Sequence, residues 1–382
     1  MATNVQVYRS SDYGASPLYG DVGYLGPLLN ACLVTGYGSI TISSMTYSAG
    51  TVTVTTALAH SLKTFGRQTI AGANETGYNG DQLITVTGAF TFTFASAGVS
   101  GSPATGTLTT KSAGAGWTMP YTGTNLSVFR QGSSSNQRYL RVDDTTTLSS
   151  RVVAYESMSD VNTGTNAFPT SALFAGGLYF QRSTSDDITN NREWILIAND
   201  RTFYLWVGWN SIPPYVDSPL VAFGDFVSTK SGDIYNTFIQ GNISAAVAGF
   251  KFAYSVGSYM TAADTSMYVA RSYTQTGTAM ACNRIVDYSK NNNANMGVNG
   301  LPYPHMPDGA LYMCPIWIIE CASTAANSVV RGVMPGAWCP LHTKPLAHGD
   351  TFLGTGALAG KTFLALSIQP TGQVMIEIAS QW

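Results

Sequence analysis

The chain has 382 residues, of which only 10% are Asp, Glu, Lys or Arg, against about a quarter in an average soluble domain. Gly (39), Thr (44) and Tyr (21) are abundant instead, and the formal net charge is −2. No two Lys or Arg residues are adjacent, so the sequence lacks the basic patch that nucleic-acid binding needs. This composition argues against direct nucleic-acid binding. It favours a β-rich structural protein over an enzyme with an electrostatically tuned pocket.

Hydrophobic residues make up 45% of the chain, which is enough to bury a sizeable core. The first residues, MATNVQVYRSSDYG, lack the basic and apolar segments of a secretory signal. Apolar stretches such as Ile316–Ile319 are far shorter than the roughly 20 residues of a membrane-spanning helix. We therefore expect synthesis in a cytoplasm and no membrane insertion. An odd number of irregularly spaced cysteines predicts buried thiols rather than a disulfide framework: Cys32, Cys282, Cys314, Cys321 and Cys339.

The first predicted element is a short helix over Pro27–Val34, where apolar residues recur at helical spacing and the proline suits a first turn. Short segments that mix β-branched or aromatic residues with polar ones follow it, and clusters of Gly, Ser, Asn and Asp separate them. These segments are predicted strands: Leu126–Arg130, Arg138–Val142, Arg151–Tyr155, Gly177–Gln181, Val221–Phe226, Met267–Arg271, Leu311–Glu320, Val329–Val333, Thr362–Ser367 and Val374–Ile378.

The clearest predicted hairpin covers Glu193–Trp209. Its first strand alternates up to Asn199 and Asp200, which tolerate positive φ and suit a tight turn. The second strand returns through Phe203–Trp206, and a double proline at 213–214 ends the unit.

Residues 45–111 have a different composition, dominated by Thr, Val, Gly and Ala. The strand-like alternation of residue types occurs in several places of this segment. Four or five short strands at 8–12-residue spacing predict a small sandwich or barrel. The Gly-rich flanks at 36–39 and 113–116 are typical of two sides of one loop that carries an insertion. We therefore predict a main domain formed by residues 1–44 and 112–382, interrupted by an inserted module at 45–111. The predicted fold class is mainly β: a β-sandwich or barrel-like main domain with a small inserted β-domain and very few short helices.

Several blocks of the main domain, taken in order, resemble an uncharacterised family of tailed-bacteriophage virion structural proteins. They are LLNACLVTGYG within 19–38, GWTMPYTGTNLSVFRQG (116–132), QRYLRVDD (137–144), FGDF and GDIYNT (223–237), MYVARSYTQTG (267–277), DGALYM (308–313), RGVMPGAW (331–338) and ALAGKTFLAL (357–366). The predicted module, with GANETGYNGDQLITVTGAFTFTF, is similar to small β-domains of phage tail and head proteins. The resemblance implies a virion structural role and brings no catalytic residues.

Cys339, His342 and His348 form the pattern C-x-x-H-x5-H, whose residue types can bind a metal ion. No second close pair completes four zinc ligands, so we predict a buried cysteine, loop histidines and no metal or other cofactor. The sequence has no G-x-S-x-G elbow and no P-loop. His60 is predicted to lie in a loop, and the glycines at 113–116 precede no helix that would hold phosphate.

Four pairs of carboxylates lie close together in sequence, a pattern that glycoside hydrolysis would need in space. Most of them stand beside Ser, Thr, Asn or Gly, where Asp accepts backbone hydrogen bonds in turns. We therefore interpret them as turn residues and predict no catalytic residues. The pairs are Asp143–Asp144, Glu156–Asp160, Asp186–Asp187 and Asp225–Asp233.

Aromatic residues concentrate in and after the predicted hairpin. Trp194 and Trp206 are expected to be core residues, since aromatics at period two fill sheets. Trp209 and Tyr215, beside the double proline, are the candidate interface residues.

These observations predict a non-enzymatic structural component of a tailed-phage virion, associated with the tail and assembling as repeated identical subunits. Its expected partners are copies of itself and other virion proteins, and its expected location is the virion, assembled in the host cytoplasm. A capsid decoration protein and a receptor- or glycan-binding tail protein are the alternatives, with a polysaccharide depolymerase third. Collagen-like, coiled-coil and β-helix repeats are absent, which argues against a long trimeric fibre.

Overall fold

The computed structural model describes residues 5–64, 66–208, 218–244, 266–285, 301–320, 329–343, 345–368, 372–378 and 382. Its first fourteen strands are β1 (Gln6–Arg9), β2 (Tyr37–Ser48), β3 (Thr51–Thr56), β4 (Arg67–Ala73), β5 (Gly80–Leu83), β6 (Thr85–Val86), β7 (Thr91–Ala95), β8 (Gly106–Ser112), β9 (Thr118–Gly123), β10 (Leu126–Arg130), β11 (Tyr139–Asp143), β12 (Ser149–Met158), β13 (Gly164–Phe168) and β14 (Leu178–Gln181). The later strands are β15 (Glu193–Ala198), β16 (Thr202–Gly208), β17 (Leu220–Asp225), β18 (Val227–Ser228), β19 (Thr237–Gln240), β20 (Met267–Val269), β21 (Met280–Ile285), β22 (Met313–Glu320), β23 (Val329–Pro340), β24 (Thr351–Leu353), β25 (Thr362–Ser367) and β26 (Gln373–Glu377).

The strands form three antiparallel sheets, and the predicted mainly-β fold class is confirmed. The large sheet has the order β1-β15-β16-β17-β19-β20-β21-β22-β23-β26-β25-β24, with β18 paired to β23. Because β18 follows β17 after a single residue and pairs with β23, the pairings from β17 to β23 return on themselves. This part of the large sheet is barrel-like.

A six-stranded sheet packs on the large sheet to form what we call the main body. It has the order β13-β12-β11-β10-β9, with β14 beside β12. Both sheets contribute to one hydrophobic core. Trp117, Phe203 and Phe223 meet in it, with ring centroids 5.7 to 6.4 Å apart. Every residue of β16 is buried, since one face meets this cluster and the other faces β23 and β25. A continuous apolar run is typical of such a strand.

The hairpin of β15 and β16 confirms the predicted strands, but its turn is built differently. Neither Asn199 nor Asp200 has a positive φ. Instead Asn199 Oδ1 accepts hydrogen bonds from the backbone N–H groups of Arg201 and Thr202, both at 2.9 Å. The side chain therefore closes the turn.

The short helix is confirmed at Leu25–Asn30, followed by a π-helical turn at Ala31–Thr35. Pro27 lies in its first turn, as expected. The turn ends at Gly36, whose φ of +72° is a left-handed conformation. A Cβ at this position would lie 2.1 Å from the carbonyl oxygen of Ser112, so glycine also permits this close approach. No helix in the described ranges is long and apolar enough to span a membrane.

The seven-stranded sheet contains β2 to β8, in the order β5-β4-β8-β2-β3-β7-β6. This is more than the four or five strands predicted, because two-residue strands such as β6 give no sequence signal. Its core is a separate hydrophobic cluster between Ile42 and Leu108. Tyr37 pairs with Ser112, so the chain enters and leaves this sheet side by side. Strands β2 and β8 run across residues 44/45 and 111/112, and the domain division at those points stays a prediction.

Candidate interface and binding cavity

The candidate interface residues Trp209 and Tyr215 lie outside the described residues. The hairpin before them is described up to Gly208, the last residue of β16. The interface at Trp209 and Tyr215 stays a prediction.

The two earlier tryptophans of the hairpin are core residues, as predicted. Trp194 and Trp206 are both fully buried. The indole N–H of Trp194 donates to the carbonyl of Ser16 at 3.0 Å, and that of Trp206 donates to the carbonyl of Ser367 at 2.7 Å. Both polar ends are satisfied inside the protein, so neither ring is presented to a partner.

The residues of the rejected metal motif are engaged in backbone contacts. Cys339 is buried on β23, opposite Cys314 on β22. His342 Nε2 accepts a hydrogen bond from the Tyr312 backbone N–H at 3.0 Å, and its Nδ1 lies 2.9 Å from the carbonyl oxygen of Pro302. Both ring nitrogens of His342 are therefore occupied.

His348 stands apart from that pair. Its Nδ1 accepts from the backbone N–H of Ser367 at 3.1 Å, and its ring lies over Trp206 with centroids 4.0 Å apart. Within the described ranges, no three His, Cys, Asp or Glu residues are grouped as metal ligands. Cys321 lies outside those ranges.

Two carboxylates confirm the interpretation as turn residues. Asp160 Oδ1 accepts from the backbone N–H groups of Asn162 and Thr163, at 2.7 and 2.9 Å. Asp187 Oδ1 accepts from the backbone N–H of Asn190 at 2.9 Å. Hydrogen bonds, chiefly from Ser185 and Asn190, lower the pKa of Asp187. These side chains shape loops.

For Asp144 the turn interpretation is wrong. Its Oδ1 forms a buried ion pair with Arg182 Nη1 at 2.6 Å. Its Oδ2 accepts the backbone N–H of Leu25 at 2.7 Å, at the start of the helix. Burial raises the pKa of Asp144, while Arg182 opposes the shift. The carboxylate thus satisfies a helix N-terminus whose own sequence provides no side-chain cap.

Glu156 is also ion-paired rather than a turn residue, whereas Asp233 combines an ion pair with a turn hydrogen bond. The two oxygens of Glu156 accept from Arg271 at 2.6 and 2.9 Å. Asp233 Oδ2 accepts from Arg331 at 2.8 Å, although its Oδ1 also accepts the nearby backbone N–H of Tyr235. Such bidentate or charge-assisted bonds are the strong ones.

Arg331 is the centre of a buried network. Its Nη1 lies 2.5 Å from Glu320 Oε1, and its Nη2 bonds Asp233. All three side chains are at most 6% exposed. Burial raises the pKa of Glu320, and Arg331 opposes that shift. The network joins β22, β23 and the loop after β18.

Asp225 ends β17 as a half-buried hydrogen-bond acceptor. Its Oδ1 accepts from Thr237 Oγ1 at 2.6 Å and Gln131 Nε2 at 3.0 Å, and its Oδ2 accepts the Asn136 backbone N–H at 2.9 Å. Burial raises its pKa. Asp225 and Asp233 line one polar cleft of about 420 Å³. Each carboxylate is held by neighbouring side chains. The two therefore do not form a free pair that could act together on a substrate.

Within the described ranges, a minority of the charged residues, eight of the 40 in the chain (21 acidic plus 19 basic), are buried, and all eight lie in the main body. Those classed as fully buried are Asp144, Arg182, Arg192, Asp200, Arg284, Glu320, Arg331 and Glu377.

An apolar surface faces outward on β18, β23 and β22; we call it the outer apolar face. Trp317 pairs with Val333, and Val333 pairs with Val227, so the three side chains form a row on one face. Ile319 pairs with Val330 and extends the row. Trp317 is 39% exposed, Val330 48% and Val227 54%. This face could not be predicted from the sequence, because β22 is apolar at successive positions and its pattern does not distinguish the two sides of the strand.

A bulge in β23 explains how charge and apolar surface are separated. Ile318 pairs with Gly332 and Ile319 with Val330, so Arg331 is the additional residue. The bulge places Arg331 in the buried network and leaves Val330 on the outer face. A Cβ at Gly332 would lie 2.1 Å from the carbonyl of Val227, so glycine allows β18 to approach.

A cavity of about 330 Å³, the junction cavity, lies where the main body meets the seven-stranded sheet. Its walls are β1, residues 62–64 and 66–68, and the C-terminal part of the large sheet at Thr351 and Ile378. Three cations line it, Arg9, Lys63 and Arg67, with Asp12 as the acidic residue. These residues come from separate segments, so no local sequence pattern identifies the cavity.

No protein-family model and no curated protein matches the chain. Among solved structures, the chain is similar to phage phi92 endosialidase, with a TM-score of 0.18 and 11% sequence identity over 89% of this chain and 52% of that one. The chain spans about half the length of that protein. A likeness at this level carries no argument about fold, activity or substrate.

Proposed function

We propose that this chain is a non-enzymatic structural subunit of a tailed-phage virion, associated with the tail and assembling with copies of itself. The ordered sequence blocks that resemble virion structural proteins support the virion role. The mainly antiparallel β fold is compatible with it.

The outer apolar face is the observation that carries the assembly part of the proposal. Contiguous exposed apolar surface marks interaction sites in soluble proteins, and Trp is enriched in interfaces. Trp317, Val227 and Val330 are each more than a third exposed. A second copy of the chain is the proposed occupant, because a net charge of −2 gives little repulsion between identical chains. Identical subunits commonly assemble with closed symmetry.

The engagement of the acidic residues supports the non-enzymatic part. Asp144, Glu156 and Asp233 are each held by an arginine. A retaining or inverting glycosidase needs two carboxyl groups facing one sugar ring. We therefore expect no release of reducing sugar from host envelope polysaccharide. Measured release that disappears on Asp225→Asn substitution would contradict this.

Copy number in purified particles tests the proposal. Quantitative mass spectrometry of virions is expected to find several copies per particle, in a fixed ratio to the tail proteins. A particle reconstruction should place Trp317 at a contact between two copies. Absence from the virion, or one copy without self-contact, would overturn the proposal. A ratio fixed to the capsid protein would instead support the decoration-protein alternative.

A further inference from the structure

We propose that the junction cavity is a binding site for a single anionic group, a carboxylate or phosphate, carried by a molecule no larger than one sugar residue. This inference is independent of the virion role, because it rests only on the walls and charges of the cavity.

Arg9, at the end of β1, is the cation that the main body contributes to the site. Its guanidinium donates no hydrogen bond to any residue of the described ranges, although its backbone N–H donates to Asp12 Oδ2 at 2.8 Å. The side chain is half-buried, and burial lowers the pKa of Arg9. A partly desolvated cation with unused donors is costly unless an anion compensates it. Within the described ranges, no residue accepts a hydrogen bond from the half-buried Arg9 guanidinium, so its donors are open to water or to a bound anion.

One oxygen of the acidic residue in the cavity is already hydrogen-bonded. Asp12 Oδ2 accepts the Arg9 backbone N–H and the hydroxyl of Tyr37, both at 2.8 Å. Asp12 attracts the Arg9 guanidinium through space but forms no ion pair with it within 4.0 Å in the described ranges. One carboxylate thus lines the cavity beside three cations, of which Arg67 also pairs with Asp81 outside the lining.

The opposite wall belongs to the seven-stranded sheet. Arg67 is 18% exposed and lies 3.6 Å from Asp81, which is itself 41% exposed and bonded to Thr69. Lys63 is exposed at the cavity mouth, and within the described ranges its ammonium has no hydrogen-bond acceptor. A bound anion would therefore be held by cations from two hydrophobic units at once. It would also fix the seven-stranded sheet against the main body.

The size and polarity of the cavity limit the ligand. A volume of about 330 Å³ is at the lower end of small-molecule pockets. Its lining includes the cationic side chains of Arg9, Lys63 and Arg67. These features suit the acidic group of a small molecule.

Isothermal titration calorimetry tests the site. The probes are inorganic phosphate and glucuronate, with glucose as the neutral control, at constant ionic strength. Wild-type protein should bind phosphate, glucuronate or both saturably at one site per chain, and should bind glucose at least tenfold more weakly. Binding of phosphate alone would identify a free anion as the source, and binding of glucuronate would identify a sugar acid.

Substitutions distinguish anion binding in the junction cavity from nonspecific attraction of anions to the protein. Arg9→Gln should weaken binding at least tenfold, and Lys63→Gln should weaken it less, because Lys63 is exposed. The control Arg141→Gln removes a cation on β11 and should change affinity by less than twofold. Circular dichroism would verify that each variant is folded. No saturable binding by the wild type, equal binding of glucose, or unchanged affinity in Arg9→Gln would each overturn the proposal.

Discussion

The seven-stranded sheet and the main body are built on different principles. Strand β3 of the seven-stranded sheet alternates between exposed and buried residues, and eleven residues form its core. In the main body, β16 is buried at every position, because protein covers both of its faces. In the first arrangement, one face of the sheet packs on a small core and the other faces solvent. The second places central strands between two layers.

The same contrast holds for charge. The main body buries Arg331 with two carboxylates at most 6% exposed. In the seven-stranded sheet, Arg67 and Asp81 form a looser pair, 3.6 Å apart and partly exposed. Few charges are present in either region, but only in the main body do they connect buried strands. The stability of a charge-poor protein can therefore depend strongly on a few ionic contacts.

Removing Arg331 from the main body and Arg67 from the seven-stranded sheet should give the largest difference between the two regions in unfolding free energy. Arg331→Met leaves Asp233 and Glu320 buried without their cation, so we expect a loss of about 3–5 kcal/mol in unfolding free energy. Arg67→Met should cost about 0–1 kcal/mol, as exposed pairs do. Urea unfolding of both variants measures this. Similar losses in the two variants would contradict the contrast.

The main body and the seven-stranded sheet should differ less in how their carboxylates affect stability at acid pH. Burial tends to raise the pKa of Glu156, but hydrogen bonds from Arg271 and Asn166 outweigh it, and the net pKa is lowered. A lowered pKa means that its contribution is present above the unfolded pKa of about 4.3 and is lost as the pH falls through the folded value. We therefore expect Glu156→Gln to flatten the decline in stability of the main body below about pH 4.3.

Glu75 provides the matched control for that experiment. Hydrogen bonds from Thr105 lower its pKa as well, but the residue is half-exposed and belongs to the seven-stranded sheet region, not to the main body. We expect Glu75→Gln to change the acid limb of main-body unfolding far less. Urea titrations between pH 7 and pH 3 compare the two. A larger effect of Glu75→Gln would refute the assignment.

Deleting the seven-stranded sheet should have the smallest effect on the remainder. Ile40 pairs with Thr110, and Thr41 with Thr109, so a Gly-Ser bridge can replace Ile42–Thr110 without stretching the chain. We expect the main body to stay folded, with its melting transition near that of the wild type. Circular dichroism and thermal melts test this. An unfolded or aggregated variant would show that residues 45–111 are not a separate domain.

Local patterns predicted much of the strand structure. The bounds of β10 and β25 agree with the predicted Leu126–Arg130 and Thr362–Ser367. The strand predicted at Val329–Val333 ends too early, since β23 continues to Pro340. Gly332, Pro335 and Gly336 indicate a turn locally, whereas tertiary pairing with β18, β22 and β26 keeps this segment extended.

Contacts between distant segments could not be predicted. β1 is only four residues long and pairs with β15, so it shows too short a pattern to be detected. Arg331 and Asp233 are 98 residues apart. The walls of the junction cavity are equally dispersed. Such sites depend on packing, which no local periodicity encodes.

Self-association of the purified protein tests the central claim most directly. Mass photometry would compare the wild type with Trp317→Lys and with Phe90→Lys. Phe90 is a matched control, because it is 48% exposed in the seven-stranded sheet, against 39% for Trp317 in the main body. We predict an oligomeric wild type, loss of the oligomer in Trp317→Lys, and an unchanged oligomer in Phe90→Lys. A monomeric wild type, or an oligomer that survives in folded Trp317→Lys protein, would contradict assembly through the outer apolar face.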